Sequence, residues 1–152
     1  NSAGETNDIV VSKFGAIQAS GLTPVLCVGE SLSQREVGVT EQAILSQIDP
    51  IVEEFGFSVF EKALIAYEPL WAIGTGKTAT PDQAQAVHEL IRVHLAKEDA
   101  KTADSVRIIY GGSVSSNNAQ DLFKQKDVDG GLVGGASLKA EEFISICKSV
   151  DR

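Results

Sequence analysis

The carboxylate of Glu68 closes an apolar run, Ala63-Leu-Ile-Ala-Tyr67, and is followed at once by Pro69. The next residues, Leu70, Trp71, Ala72 and Ile73, are apolar, yet they lie between a proline and the Thr80-Pro81 pair that starts a helix, so they belong to a loop. An apolar loop with Gly74 and Gly76 at its far end is costly to leave in water, and it reads as a segment that closes over something. Under such a cover Glu68 would be a carboxylate in a water-poor pocket, suited to general-base work. The alternative is a structural Glu at a strand end, paired with a Lys or Arg.

Eight of the 14 glycines fall in four places directly after apolar runs: Gly74 and Gly76, Gly111 and Gly112, Gly130 and Gly131, Gly134 and Gly135. Taken singly, each permits a tight turn with positive φ. Taken as a set, with Ser113 after Gly111 and Gly112, they form a candidate cradle of backbone amides for a phosphate, because the GGS and VGGAS stretches each lead towards a helix. Glu30, at the end of the CVGE run, reads as a structural ion pair. His88 and His94 are six residues apart on one helix, hence on different faces, and neither reads as a ligand or base. No Cys, His and carboxylate set has metal-ligand spacing, and neither GxGxxG nor GxxxxGK[ST] occurs, so neither a metal nor a cofactor is expected.

The elements that must hold these residues alternate. Short apolar runs at Thr23–Gly29, Ala63–Tyr67, Val106–Tyr110 and Gly131–Val133 suit parallel strands covered on both faces, since their apolar residues are mostly continuous. Helical patterns separate them. The first spans Thr6 to Ala19, with Ile9, Val10, Lys13, Phe14 and Ile17 on one stripe, and stops at Gly21. The second runs from a Thr40 cap to Phe55, with Pro50 predicting a kink or restart. The third starts at Thr80-Pro81 and continues through Leu95, the fourth begins near Asn117 or Asn118, and the last covers Lys139 to Lys148. One helix followed by four βα units predicts an α/β architecture with a parallel sheet, either an open doubly wound sheet or part of a (β/α) barrel; both bind ligands at the C-terminal ends of their strands.

Composition narrows the partners. The 152 residues carry 21 acidic and 13 basic side chains, a net charge of -8. That balance, with no Lys/Arg cluster, excludes a nucleic-acid footprint. No apolar run approaches the roughly 18 residues that span a bilayer, and the polar N-terminal stretch has no signal-peptide core, so a cytoplasmic protein with no membrane partner is expected. Cys27 and Cys147 read as buried thiols in a reducing compartment. No linker divides the chain, and one domain over residues 1–152 is expected. The chain contains no Met, which suggests a piece of something longer.

Four stretches taken in order, TPVLCVGE (23–30), AYEPLWAIGTGK (66–77), YGGSV (110–114) and LVGGASL (132–138), resemble the triose-phosphate isomerase family. The resemblance implies a (β/α)8 barrel of which this chain holds about half: four parallel strands of the β5 to β8 type with their helices, preceded by one helix. It implies that Glu68 is the base that moves a proton between adjacent carbons of a triose phosphate. Pro69, Leu70, Trp71, Ala72, Ile73, Thr75, Gly76 and Lys77 would belong to a phosphate-gripping lid, with the Gly74 amide on phosphate. Ser113, Gly134 and Gly135 would complete the phosphate site, and Arg92 and Asp129 would form a structural salt bridge.

A complete barrel takes eight βα units and about 250 residues. The family's Asn and Lys from its first strand, and its His followed by a Ser-Glu-Arg-Arg run from its fourth, have no counterpart here. Two expectations follow. One is an isomerase polypeptide seen incomplete, weak or inactive until a complementary N-terminal half is supplied, with triose phosphate or inorganic phosphate as ligand. The other is a non-catalytic half-barrel that keeps a phosphate-binding face and self-associates, as a homodimer, through its uncovered sheet face and open edges.

Overall fold

The computed structural model describes residues 4–73 and 77–150. Its centre is a parallel sheet in the order β1 (Val25–Val28), β2 (Leu64–Tyr67), β3 (Arg107–Tyr110). Val25 pairs with Leu64 and Leu64 with Arg107, so all three strands end level, at Val28, Tyr67 and Tyr110. Each crossover is helical: α2 (Leu32–Glu36) and α3 (Thr40–Phe55) join β1 to β2, and α4 (Pro81–Ala96) and α5 (Ala100–Ser105) join β2 to β3. Before the sheet comes α1 (Asn7–Ala19), and after it come α6 (Ala119–Phe123) and α7 (Ala140–Lys148). Among the described residues no helix is long and apolar enough to cross a membrane.

The predicted half-barrel pattern is present, with one strand reduced. The segment expected as a fourth strand runs beside β3, where Asp129 N–H donates to the Ile108 carbonyl and Leu132 N–H to that of Tyr110 (both 2.9 Å), but it forms a single bridge, Tyr110 with Gly131. Gly130 has φ 156°, a backbone other residues rarely adopt, and two adjacent glycines offer no side chains to pack.

Alternate residues divide the sheet into two unlike faces. Leu26, Val28, Ile65, Tyr67, Ile108 and Tyr110 are buried beneath the helices together with Ile44, Ile48, Ile91 and Leu95. On the other face Ala66 is buried, but Val25, Cys27 and Arg107 are exposed, so the expected burial on both faces holds for one only. The two thiols also correct the sequence reading. Cys27 and Cys147 are both free and exposed. The α1 stripe is likewise thinner than predicted: Phe14 is buried, whereas Ile9 and Ile17 face solvent.

Local signals place most helix ends. Thr80 and Gln83 form a capping box with Pro81 at the first turn of α4. Thr6 caps α1. Thr40, expected as a cap, is the first helical residue of α3, and Val39 precedes it without a side-chain bond. Pro50 does not restart α3, which runs unbroken from Thr40 to Phe55. A proline at 50 cannot donate to the carbonyl of Ser46. Asn7 Nδ2, from α1, donates to that carbonyl at 2.8 Å and so repairs the ladder.

Candidate active site

The C-terminal ends of β2 and β3 and the turn after Gly131 converge on a cleft of about 420 Å³ whose lining includes Glu68, Gly111, Ser113, Gly134 and Gly135. The sequence-predicted base and the described part of the predicted phosphate cradle are therefore in one place. Gly74, Thr75 and Gly76 lie outside the described residues.

Glu68 follows β2 directly, and its N–H donates to the Val28 carbonyl at 2.7 Å, so the ladder with β1 fixes its backbone. Its side chain is half-buried and forms no ion pair among the described residues. A Cβ on Gly111 would lie 2.5 Å from Glu68 Cγ, so the absence of a side chain there leaves the carboxylate its space. Cys27 lies beside it on the open face of the sheet. Desolvation by the surrounding chain, then the Glu68 charge, pushes the Cys27 thiol up to about 11. The thiol therefore stays protonated near neutral pH and adds no second negative charge to the site.

The two cradle glycines differ from those that serve the fold. A Cβ on Gly112 would strike the Tyr110 hydroxyl at 2.1 Å, so Gly112 is required by packing. Both Gly134 and Gly135 have open space where a Cβ would sit, but Gly135 lies in a helical turn whereas Gly134, at φ -86° and ψ -114°, falls outside the regions other residues favour. Neither a positive φ nor a close neighbour accounts for Gly135, and both glycines line the cleft. Gly135–Leu138 forms one 3-10 turn, and α6 starts only at Ala119, so the helix dipoles expected behind both glycine stretches reduce to local amides. Ser113 is exposed at the rim, and its carbonyl accepts from Asn118 Nδ2 at 2.9 Å and Thr78 Oγ1 at 3.2 Å.

The segment after Glu68 is anchored at both ends. Pro69 and Ala72 are buried, Leu70 and Ile73 are exposed, and Leu70–Ala72 forms a 3-10 turn. Trp71 Nε1 donates to Glu30 Oε1 at 2.9 Å, and the Arg35 guanidinium sits 5.1 Å from the centre of the indole ring. Glu30 is fully buried, and the same oxygen receives Arg35 at 3.0 Å and the Tyr67 hydroxyl at 3.1 Å. Glu30 is thus the structural ion pair the sequence suggested, and it also holds Trp71. At the far end, beyond exposed Lys77, Ala79 N–H donates to the Tyr110 hydroxyl at 3.2 Å.

Two other expectations hold. Arg92 bonds Asp129 at 2.7 Å, as expected, and also Asp127 at 2.9 Å, remote from the cleft. His88 and His94 face apart: His88 is buried against the Asp127 carbonyl, and His94 Nε2 lies 2.8 Å from Asp49. Sequence reasoning missed Gln47 on α3, which bonds both backbone groups of Gly29 beside the site. A lone glutamine inside a helix carries no motif that would have singled it out.

The sequence model of the family described as triosephosphate isomerase matches residues 1–150. The chain belongs to the triosephosphate isomerase family. It is 57% identical over 146 residues to the triosephosphate isomerase of Pseudomonas savastanoi pv. phaseolicola, covering 96% of this chain and 58% of that protein. It is 58% identical over 145 residues to that of Xanthomonas campestris pv. campestris, covering 95% of this chain and 58% of the relative. Against the triosephosphate isomerase of Thiobacillus denitrificans the identity is 56% over 146 residues, 96% of this chain and 59% of the relative. The chain thus spans a little under three fifths of the length of these curated relatives.

Proposed function

We propose that this chain supplies the base and the phosphate pocket of a triose-phosphate isomerase site. The Glu68 carboxylate takes a proton from the carbon beside the carbonyl of glyceraldehyde 3-phosphate or dihydroxyacetone phosphate. The electron pair of that C–H bond forms a C=C bond while the carbonyl π pair moves onto its oxygen, giving an enediolate. The hydroxyl proton passes from the neighbouring oxygen to that one as the new carbonyl forms, and Glu68 returns its proton to the former carbonyl carbon. Ser113 and the amides of Gly134 and Gly135 hold the phosphate, with Gly74 and the lid segment closing over it. The observation that carries this reading is the meeting of Glu68, which forms no ion pair among the described residues, with Ser113, Gly134 and Gly135 around one cleft.

Chemistry at Glu68 alone is incomplete. Negative charge grows on the carbonyl oxygen as the proton leaves, and hydrogen-bond donors placed at that oxygen commonly supply a large part of the acceleration. The described lining of the cleft contains no Lys, Arg or His. The electrophiles therefore come from a complementary portion of the protein, and the chain alone is weak or inactive. A second reading, a self-associating half-barrel without catalysis, is favoured by the exposed Val25 and Cys27 on the open sheet face.

The test mixes the chain with the N-terminal remainder of a relative such as the Pseudomonas savastanoi enzyme and measures triose phosphate interconversion, with Glu68→Ala prepared in parallel. Activity is expected in the mixture, and Glu68→Ala is expected to abolish it. Equal activity in the mixture with and without Glu68 would refute the assignment of the base.

A further inference from the structure

We infer that Gln47 is a positioning residue for this site: from α3, its side-chain amide clamps both backbone groups of Gly29 and so fixes the turn that carries Glu30 against Trp71 and the Glu68 backbone against β1. The inference rests on reading Glu68 and the segment after it as base and lid.

The outer edge of β1 is where the clamp acts. In the β1–β2 ladder the carbonyls of Pro24 and Val28 receive Leu64 and Glu68, so even-numbered residues face β2 and Val25, Cys27 and Gly29 face outwards. Val25 and Cys27 have no backbone partner on that edge among the described residues. Gly29 alone is closed there. Its N–H donates to Gln47 Oε1 at 3.1 Å, and its carbonyl accepts from Gln47 Nε2 at 3.0 Å, the pattern a neighbouring strand would supply. The same Nε2 donates to the Ala43 carbonyl at 2.7 Å, which ties the amide to its own helix.

Gly29 transmits position in two directions. Its backbone passes so close to the next strand that a Cβ would lie 1.8 Å from the Glu68 carbonyl oxygen. The next residue, Glu30, accepts Leu70 N–H on its own carbonyl at 3.1 Å and the Trp71 indole on its carboxylate. A displaced Gly29 therefore moves the base and the root of the lid together. Glu30 has no freedom to absorb such a shift, because it is fully buried with Arg35, Tyr67 and Trp71 all on Oε1 and no hydrogen bond to Oε2.

Trp71 is the one tryptophan of the chain, so its indole N–H is a direct reporter that does not require isomerase activity. The experiment compares wild type, Gln47→Glu and Gln47→Ala. Gln47→Glu keeps the shape and the acceptor for Gly29 N–H but loses both donors. Gln18→Ala serves as control, since Gln18 Nε2 bonds the Val59 carbonyl at 3.0 Å in a similar helix-to-backbone link away from the cleft. With folding confirmed by circular dichroism, both Gln47 variants should shift the indole N–H resonance and speed its hydrogen exchange about tenfold, as expected for weakening one hydrogen bond. Gln18→Ala should lower stability and leave that resonance in place. A folded Gln47→Glu with the wild-type resonance and exchange rate would overturn the proposal. So would loss of the fold in both Gln47 variants, which would make Gln47 a folding residue. Should Gln47→Ala alone fail to fold, Gln47→Glu decides. Failure of the isomerase assay would leave this readout intact, so the two readings fail separately.

Discussion

Replacing His88 should remove an acid-sensitive contribution to stability that this chain otherwise carries. The imidazole is fully buried between α4 and the sheet, edge-on to Tyr67 with ring centres 5.9 Å apart. Its Nδ1 is 3.1 Å from the Asp127 carbonyl, which can only accept, so Nδ1 carries the proton, and Nε2 is buried without a hydrogen bond. Burial lowers its pKa from 6.5 to about 4; the Asp127 and Ile108 carbonyls and the Asp129 charge oppose that shift without cancelling it, and Arg92 adds to it. The unfolded chain thus binds a proton at His88 near pH 6.5, whereas the folded chain resists it until about pH 4. Between those values the unfolded state holds more protons, so stability is full above about 6.5 and falls as the pH drops towards 4. At about 1.4 kcal/mol per tenfold, the difference amounts to about 3 kcal/mol at the acid end. Urea midpoints measured at pH 7, 6, 5 and 4.5 for wild type and His88→Gln compare two proteins that share every carboxylate. The wild type should lose more stability across that range than the variant. Parallel curves would refute the reasoning and would mean that His88 is not buried neutral.

Gly29→Ala forces a Cβ to within 1.8 Å of a backbone oxygen that cannot rotate away, so chemical denaturation should show a loss of about 3 kcal/mol or more. Gly135→Ala meets open space in a helical turn, so its stability should stay within about 0.5 kcal/mol of wild type while the affinity for inorganic phosphate, followed by NMR titration, falls. Asn7→Ala should cost about 1 kcal/mol in the wild type and clearly less in a Pro50→Ala background, where residue 50 regains an N–H for the Ser46 carbonyl; additive losses in that cycle would show that Asn7 is not the repair. Light scattering on the isolated chain at micromolar concentration should give about twice the mass of one chain, through the open face around Val25 and Cys27; a single-chain mass would count against self-association.

The convergence of the candidate site residues was legible in the sequence because they are local signals. Glu68 beside Pro69, and glycines directly after apolar runs, mark strand ends wherever they occur, and parallel strands that end level bring them together. Helix starts were legible for the same reason, as at Thr80-Pro81. Burial was not, because it depends on what lies opposite. The pattern of Cys27, Ile9 and Ile17 records fitness to be covered, and each is exposed. Phe143 and Ile144 on α7 belong with them: apolar on a helix whose described packing is mainly with the short turn before it. These residues mark where the chain still has surface to lose, and the relatives it matches are longer than it by about two fifths of their own length. The long-range bonds escaped the sequence for a different reason. Gln47 with Gly29, and Asn7 with the Ser46 carbonyl, join ordinary polar side chains to backbone groups that are free only because of an edge strand or a proline. Such a partner becomes predictable only once the orphaned backbone group has been located. At Gly29 that partner, Gln47, closes the end of β1 beside Glu68, although Val25 and Cys27 have no such partner on the outer edge among the described residues.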